Sequence, residues 1–232
     1  MPALSKPEHW GNSNLRSLLI FSLRDDHRIQ RARQSLKIDG PGEESGQFNE
    51  KLNLRNQHYP GWLRRPYKQV ADEETHEYFT HLMREGDLLV YGRKTYQLMV
   101  PFWPEVARNQ SMSQASNEFA RTFDSINKIV FSRSLVSAED RNTRIVRTNL
   151  HDEILKLKQE QGKNILVGGV DIPSQLIELG LVDEYRFVVG PLVVGEGRRL
   201  LEGVSLPERS QLKLVESKIF KSGCVALRYL KQ

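Results

Sequence analysis

Three short turns carry the residue types that hold phosphate: Gly92-Arg93-Lys94-Thr95, Ser132-Arg133-Ser134 and Gly168-Gly169-Val170-Asp171. Arginine and lysine pair with phosphate oxygens, hydroxyls add further donors, and glycine lets backbone N–H groups come close to a ligand. Each turn follows a short apolar run: Asp87 to Tyr91, Lys128 to Phe131, and Ile165 to Val167. In an open parallel sheet the strand C-termini share one edge, and ligands bind in the crevice there. Any one of these turns alone also reads as an ordinary solvated turn. Three in equivalent positions, offering Arg93, Lys94, Arg133, several hydroxyls and two helix N-termini, suit a ligand with more than one phosphate.

The elements that must position these turns follow from periodicity. Asp72 to Met83 has an N-cap aspartate, acids in its first turn, and Tyr78, Phe79, Leu82 and Met83 on one face, with Gly86 as its stop. Asp87 to Tyr91 is nearly all apolar, as a buried parallel strand would be. A helix opens at Gly92 to Thr95 and runs to Met99, ahead of the breakers Pro101 and Pro104. Ser113 caps another helix carrying Phe119 and Phe123, and Asn149 caps one with Ile154 and Leu157 inward and Gly162 as its end. The apolar run ending at Val167, the glycine pair, and a helix closed by Gly180 then lead to a strand over Tyr185 to Val189. Leu212 to Ile219 and Cys224 to Leu230, flanking Lys221-Ser222-Gly223, predict a final antiparallel hairpin. Alternation of helix, strand and polar turn points to an α/β fold with one mostly parallel sheet covered by helices.

The first third differs. Residues 1–70 hold 12 basic and 7 acidic side chains, while the remainder has 22 of each, so the net charge of +5 lies entirely at the front. Leu15 to Leu23 reads as one strand or a short amphipathic helix. Residues 32–69 are rich in Gly, Pro, Asn, Gln and charge with no sustained period, the pattern of loop or weakly ordered chain. A division follows: residues 1–69 as a divergent basic segment and 70–232 as the folded domain. Because the body is neutral, a nucleic-acid partner is not expected. No apolar run reaches the ~20 residues of a membrane helix, and no signal peptide is evident at the start. The single cysteine, Cys224, lies in an apolar run and is expected to pack there, in keeping with a reducing cytoplasm. No metal site is expected, since His76 and His81 are five apart and occupy different helix faces.

The motifs Tyr91-Gly92-Arg93-Lys94-Thr95-Tyr96, Phe131-Ser132-Arg133-Ser134-Leu135, Ile165-Leu166-Val167-Gly168-Gly169 and Gly180-Leu181-Val182-Asp183-Glu184-Tyr185 occur in that order. On these the chain from about Val70 resembles the dihydrofolate reductase-like superfamily, and within it the reductase domain at the C-terminus of the bifunctional riboflavin-biosynthesis deaminase-reductase. The resemblance implies a three-layer α/β/α fold, NADPH as cofactor, and hydride transfer to a small heterocyclic or carbonyl substrate. It also implies a homodimer. It places cofactor phosphates at Gly92, Arg93, Lys94 and Thr95, the 2′-phosphate end near Ser132, Arg133 and Ser134, and the pyrophosphate and nicotinamide over Val167, Gly168, Gly169, Val170 and Asp171. In that superfamily the glycine pair is often joined by a cis peptide.

Chemistry agrees with the cofactor: a 2′-phosphate asks for Arg or Lys, and neither cationic turn contains an acid. The expected first strand with its Ser/Thr-Leu-Asp-Gly stretch has no counterpart beyond Leu18 to Leu23. A remodelled front, or a shifted reading frame over residues 1–69, would account for this. No catalytic proton donor is assigned. The helix before the first turn offers Asp72, Glu73, Glu74 and Glu77, of which the first three are explained as helix N-terminal charges. A non-catalytic dimeric module with a degraded nucleotide crevice is the alternative.

Overall fold

The computed structural model describes residues 20–22, 72–191, 200–206 and 210–232. Strand β1 is Ile20–Ser22, described by its backbone. Helix α1 (Glu73–Arg84) starts where expected, with Asp72 Oδ1 accepting from Thr75 N at 2.9 Å and Glu73 and Glu74 in the first turn. Its inner face buries Phe79, Leu82 and Met83. Gly86 is not the stop of this helix; Glu85 caps it, and Gly86 opens strand β2 (Gly86–Gly92). The reason is steric. A β-carbon on Gly86 would sit 2.7 Å from Leu166 Cγ and 2.9 Å from the Asn164 carbonyl oxygen.

Helix α2 (Arg93–Met99) follows β2 directly. Pro104 does not break the chain but lies in the first turn of α3 (Trp103–Asn109), where its missing N–H costs nothing. Helix α4 (Gln114–Ser125) is capped by Ser113 and buries Phe119 and Phe123. Fully burying such a ring contributes roughly 1.5–3 kcal/mol. Strands β3 (Asn127–Phe131) and β4 (Thr143–Val146) come next. Helix α5 (Leu150–Gln159) has Asn149 as cap and ends before Gly162. Strand β5 (Asn164–Gly168), helix α6 (Asp171–Glu178) and strand β6 (Glu184–Val189) complete the glycine-pair unit, and Gly180 has the positive φ expected of a helix terminator. Strands β7 (Leu212–Ile219) and β8 (Val225–Lys231) form the predicted hairpin.

One eight-stranded sheet results, in the order β4-β3-β2-β5-β1-β6-β8-β7. Strands β4, β3, β2 and β5 are mutually parallel. Two apolar layers cover its faces. One joins Phe79, Trp103, Phe119 and Phe123 from α1, α3 and α4; the other joins Ile154, Leu157, Leu176 and Ile177 from α5 and α6. The three-layer α/β/α arrangement and the antiparallel hairpin expected from the sequence are therefore present. Cys224 is buried in the first layer.

Two features depart from the sequence reading. Strand β1 lies inside the sheet, antiparallel to both β5 and β6, with Phe21 opposite Val167 and Tyr185. The alternation of a strand reads the same in either direction, so pattern alone does not set its polarity. In addition, β6 carries a buried ionic set. Arg186 bonds Glu184 and, at 2.7 Å, Glu85 Oε2, while Arg228 donates to Glu184 Oε2 at 2.8 Å. Buried charges of this kind persist only when paired.

Candidate functional site

Register brings the three turns to one edge. Gly92 pairs with Phe131, Phe131 with Val146, and Val90 with Val167. The chain therefore leaves β2, β3 and β5 at the same end of the sheet, at Gly92, Ser132 and Gly169. The first and third turns touch. A β-carbon on Gly169 would collide with Thr95 Oγ1, and one on Gly92 would lie 3.3 Å from Ile172 in the first turn of α6. Gly169 has φ +96°, a conformation that favours glycine. Gly168 is needed for another reason: a β-carbon there would stand 2.5 Å from the Tyr91 ring. The peptide between the two glycines is trans, not the cis bond suggested by the resemblance.

Side-chain placement divides the candidate residues. Arg93, Lys94, Arg133 and Ser134 are exposed, Gly92, Thr95, Ser132, Gly169, Val170 and Asp171 are half-buried, and Val167 and Gly168 are buried. Val167 packs into the layer beneath α5 and α6, leaving only its backbone near the edge. Ser132 Oγ accepts from Leu135 N at 2.9 Å and Ser134 N at 3.3 Å, which shapes its own turn. Arg93 Nη1 donates to Gln97 Oε1 at 3.0 Å. Among the described residues neither Lys94 nor Arg133 has an acidic partner. The N-cap of α6, Val170, supplies no side-chain acceptor, so this helix start has backbone donors without a side-chain cap.

A groove of about 540 Å³ opens between α2 and the loop after β3, with Arg93 and Gln97 on one wall and Ser134, Leu135 and Ser137 on the other. Its lining includes Glu139, an acid near the cationic turns that the motif reading did not bring in, because it lies five residues beyond Ser134. Below the groove is a buried polar set that also escaped notice. Tyr96 Oη donates to Asp140 Oδ1 at 2.8 Å, and Lys128 Nζ stands 3.2 Å from Asp140 Oδ2. Burial and the bond to Asp140 push the Tyr96 phenol up to about 12. Burial alone would raise Asp140, but hydrogen bonds from Thr143 and Tyr96 and the Lys128 charge hold it below the usual carboxylate range. Burial lowers Lys128 from the ordinary lysine value, and Asp140 opposes that.

Two of the carboxylates at the start of α1, Asp72 and Glu74, are held by hydrogen bonds. Asp72 accepts from Thr75 N, from Thr75 Oγ1 at 2.6 Å, and from Ser222 N at 3.1 Å, and Glu74 accepts from Lys221 N at 3.0 Å. These bonds fasten the helix start to the β7–β8 turn. Burial would raise Asp72, yet the hydrogen bonds from Thr75 and Ser222 hold it below the usual range. A proton donor needs the opposite shift. Among the described residues no cluster of His, Cys, Asp and Glu could hold a metal ion, and no helix is long and apolar enough to cross a membrane.

The three turns thus stand on a mixed α/β sheet with helices on both faces, at the edge where parallel strands end. Residues 62–226 match the RibD C-terminal domain, and the chain belongs to that family. The uncharacterized protein YyaP of Bacillus subtilis is 34% identical over 152 residues, covering 65% of this chain and 77% of that protein. The uncharacterized protein YwjB of the same organism is 25% identical over 149 residues, covering 62% of this chain and 74% of that one. Among solved structures, Acinetobacter baumannii RibD superposes with a TM-score of 0.51 at 14% identity, over 78% of this chain and 55% of that one.

Proposed function

We propose that the protein is an NADPH-dependent reductase that transfers hydride to a small heterocyclic or carbonyl substrate. The observation that carries this reading is the convergence of the three turns on one sheet edge, with Thr95 seated against Gly169. Arg93, Lys94 and Arg133 would hold the phosphates, with the hydroxyls of Thr95, Ser132 and Ser134 completing the shell. Val167, Gly168, Gly169, Val170 and Asp171 would back the dinucleotide at the end of β5, where α6 offers backbone donors. NADPH, when bound, supplies the hydride. The donor set fits it: exposed cations flank hydroxyls and a helix start without a side-chain cap, while Glu139 in the groove lining works against a 2′-phosphate. The reading assigns no proton donor: Asp72 is tied to Thr75 and Ser222, and those hydrogen bonds hold its carboxyl below the usual range.

The reading includes a cytoplasmic location and a homodimer. Strand β7 supports the latter, being exposed along its length with Leu214 and Ile219 at 50% and 76%. Light scattering tests it.

Titration with NADPH and NADH, followed by tryptophan fluorescence or calorimetry, tests the main reading. NADPH is expected to bind more tightly, each charge-assisted phosphate contact contributing about 1.5–3 kcal/mol. Equal affinities would overturn the cofactor choice. One observation favours a second reading. Tyr91 and Thr95 by themselves demand the glycine pair, so the pair does not require a ligand. On that reading the domain is a non-catalytic module, and neither nucleotide binds.

A further inference from the structure

The loop that begins with Ser132-Arg133-Ser134 is anchored at its far end by the buried set around Tyr96. Tyr96 is fully buried and lies on α2 between Arg93 and Gln97, which line the groove. Its hydroxyl donates to Asp140 and accepts from Glu139 N at 2.8 Å, thereby joining α2 to the opposite wall. Asp140 rests in turn on Lys128, whose Nζ donates to the Ile126 carbonyl at 2.9 Å and to Asn142 Oδ1 at 3.2 Å. Asn142 Nδ2 bonds the carbonyls of Asp124 and Ile126, both at 2.7 Å. The lower part of the set is thus fixed to β3 and to the end of α4, while the phenol supplies the link to α2. Arg147 Nη2 holds the loop's middle through the Leu135 carbonyl at 2.5 Å.

We propose that Tyr96 is a positioning residue of the nucleotide site: its hydroxyl sets the separation between Arg93 on α2 and Ser134 on the loop, and with it the preference for a nucleotide bearing a 2′-phosphate. This rests on the NADPH reading above. The ring of Tyr96 maintains the packing of α2, whereas the hydroxyl satisfies two groups that both belong to the loop. Removing the oxygen leaves Glu139 N without its acceptor and Asp140 one donor short, so the loop is the part that must move. Both partners of the lost oxygen, Glu139 N and Asp140, belong to the loop, and neither belongs to the turn at Gly168 and Gly169.

The variant is Tyr96→Phe, which keeps the buried ring. Two measurements are made on wild type and variant: amide hydrogen exchange, and affinities for NADPH and NADH. The expected result is exchange about tenfold faster over residues 132–140 with β3 unchanged, NADPH binding weakened by about tenfold, and NADH binding altered by less than about twofold, the scale of one lost hydrogen bond. A variant that keeps the wild-type NADPH-to-NADH ratio overturns the inference and leaves the cofactor reading intact. So does unchanged exchange in the loop, or equal loss of both nucleotides with lower thermal stability, which would make Tyr96 merely structural. Wild type that fails to discriminate between the nucleotides overturns both.

Discussion

The hydroxyl of Thr95 occupies the space that a β-carbon on Gly169 would need. The contact locks the first turn of α2 to the turn after β5, so two segments more than seventy residues apart act as one surface. Replacing Gly169 with alanine strains a φ of +96° and drives the new methyl into Thr95. Gly169→Ala should therefore cost about 1–3 kcal/mol of stability without any ligand. In the double variant with Thr95→Ala, part of that loss should return, since the collision is relieved but the backbone strain is not. Denaturant unfolding of the two single variants and the double variant checks this.

Arg93 and Glu139 line the same groove with opposite charge, so neutralising each should move nucleotide affinity in opposite directions. Arg93→Gln should weaken NADPH binding by about tenfold or more, while Glu139→Gln should strengthen it by a few-fold, roughly 0.5–1 kcal/mol for an exposed charge. Both effects should shrink with added salt. Calorimetric titration at two ionic strengths measures them.

His76 gives the protein a specific weakness to mild acid. The ring is buried, with edge contacts to Trp103 and Phe119, and Nδ1 lies 2.9 Å from the Asp72 carbonyl oxygen, to which it donates. Burial lowers its pKa below the ordinary histidine value of 6.5. Below pH 6.5 the unfolded chain takes up a proton that the folded one does not, so stability falls with pH, at up to ~1.4 kcal/mol per unit for one group. His76→Gln should flatten the profile just below that pH. Asp72 and Asp140, whose pKa values are lowered in the fold, stabilise above the unfolded carboxylate value near 3.8 and lose that contribution only in stronger acid. Thermal melts of wild type and variant between pH 7 and 3 distinguish the two regions.

Strand β1 sits between β5 and β6, so the front of the chain should not be dispensable. Phe21 is paired on both sides, and Phe21→Pro removes a backbone donor inside the sheet, which should cost about 1–3 kcal/mol. Deleting residues 1–69 should abolish the cooperative transition. A truncated chain that melts as sharply and as late as the full one would remove β1 from the sheet.

Sequence by itself was enough to place α1, α4 and α5 with their caps at Asp72, Ser113 and Asn149, and to order β2, β3 and β5 before their polar turns. Those properties are local. A cap needs a side chain within three residues of the N–H it satisfies, and a buried parallel strand announces itself as an apolar run. The hairpin and the burial of Cys224 were legible for the same reason. Tertiary structure alone decided the direction and central position of β1, since a three-residue strand reads alike both ways. It also decided that Thr95 meets Gly169, that Gly86 serves β5 and not the end of a helix, and that Tyr96, Asp140 and Lys128 share one buried site. Arg186 and Glu184 belong with these. Buried charge contradicts the pattern of the strand that bears it, and only a partner brought from elsewhere in the chain, here Glu85 and Arg228, makes it tolerable.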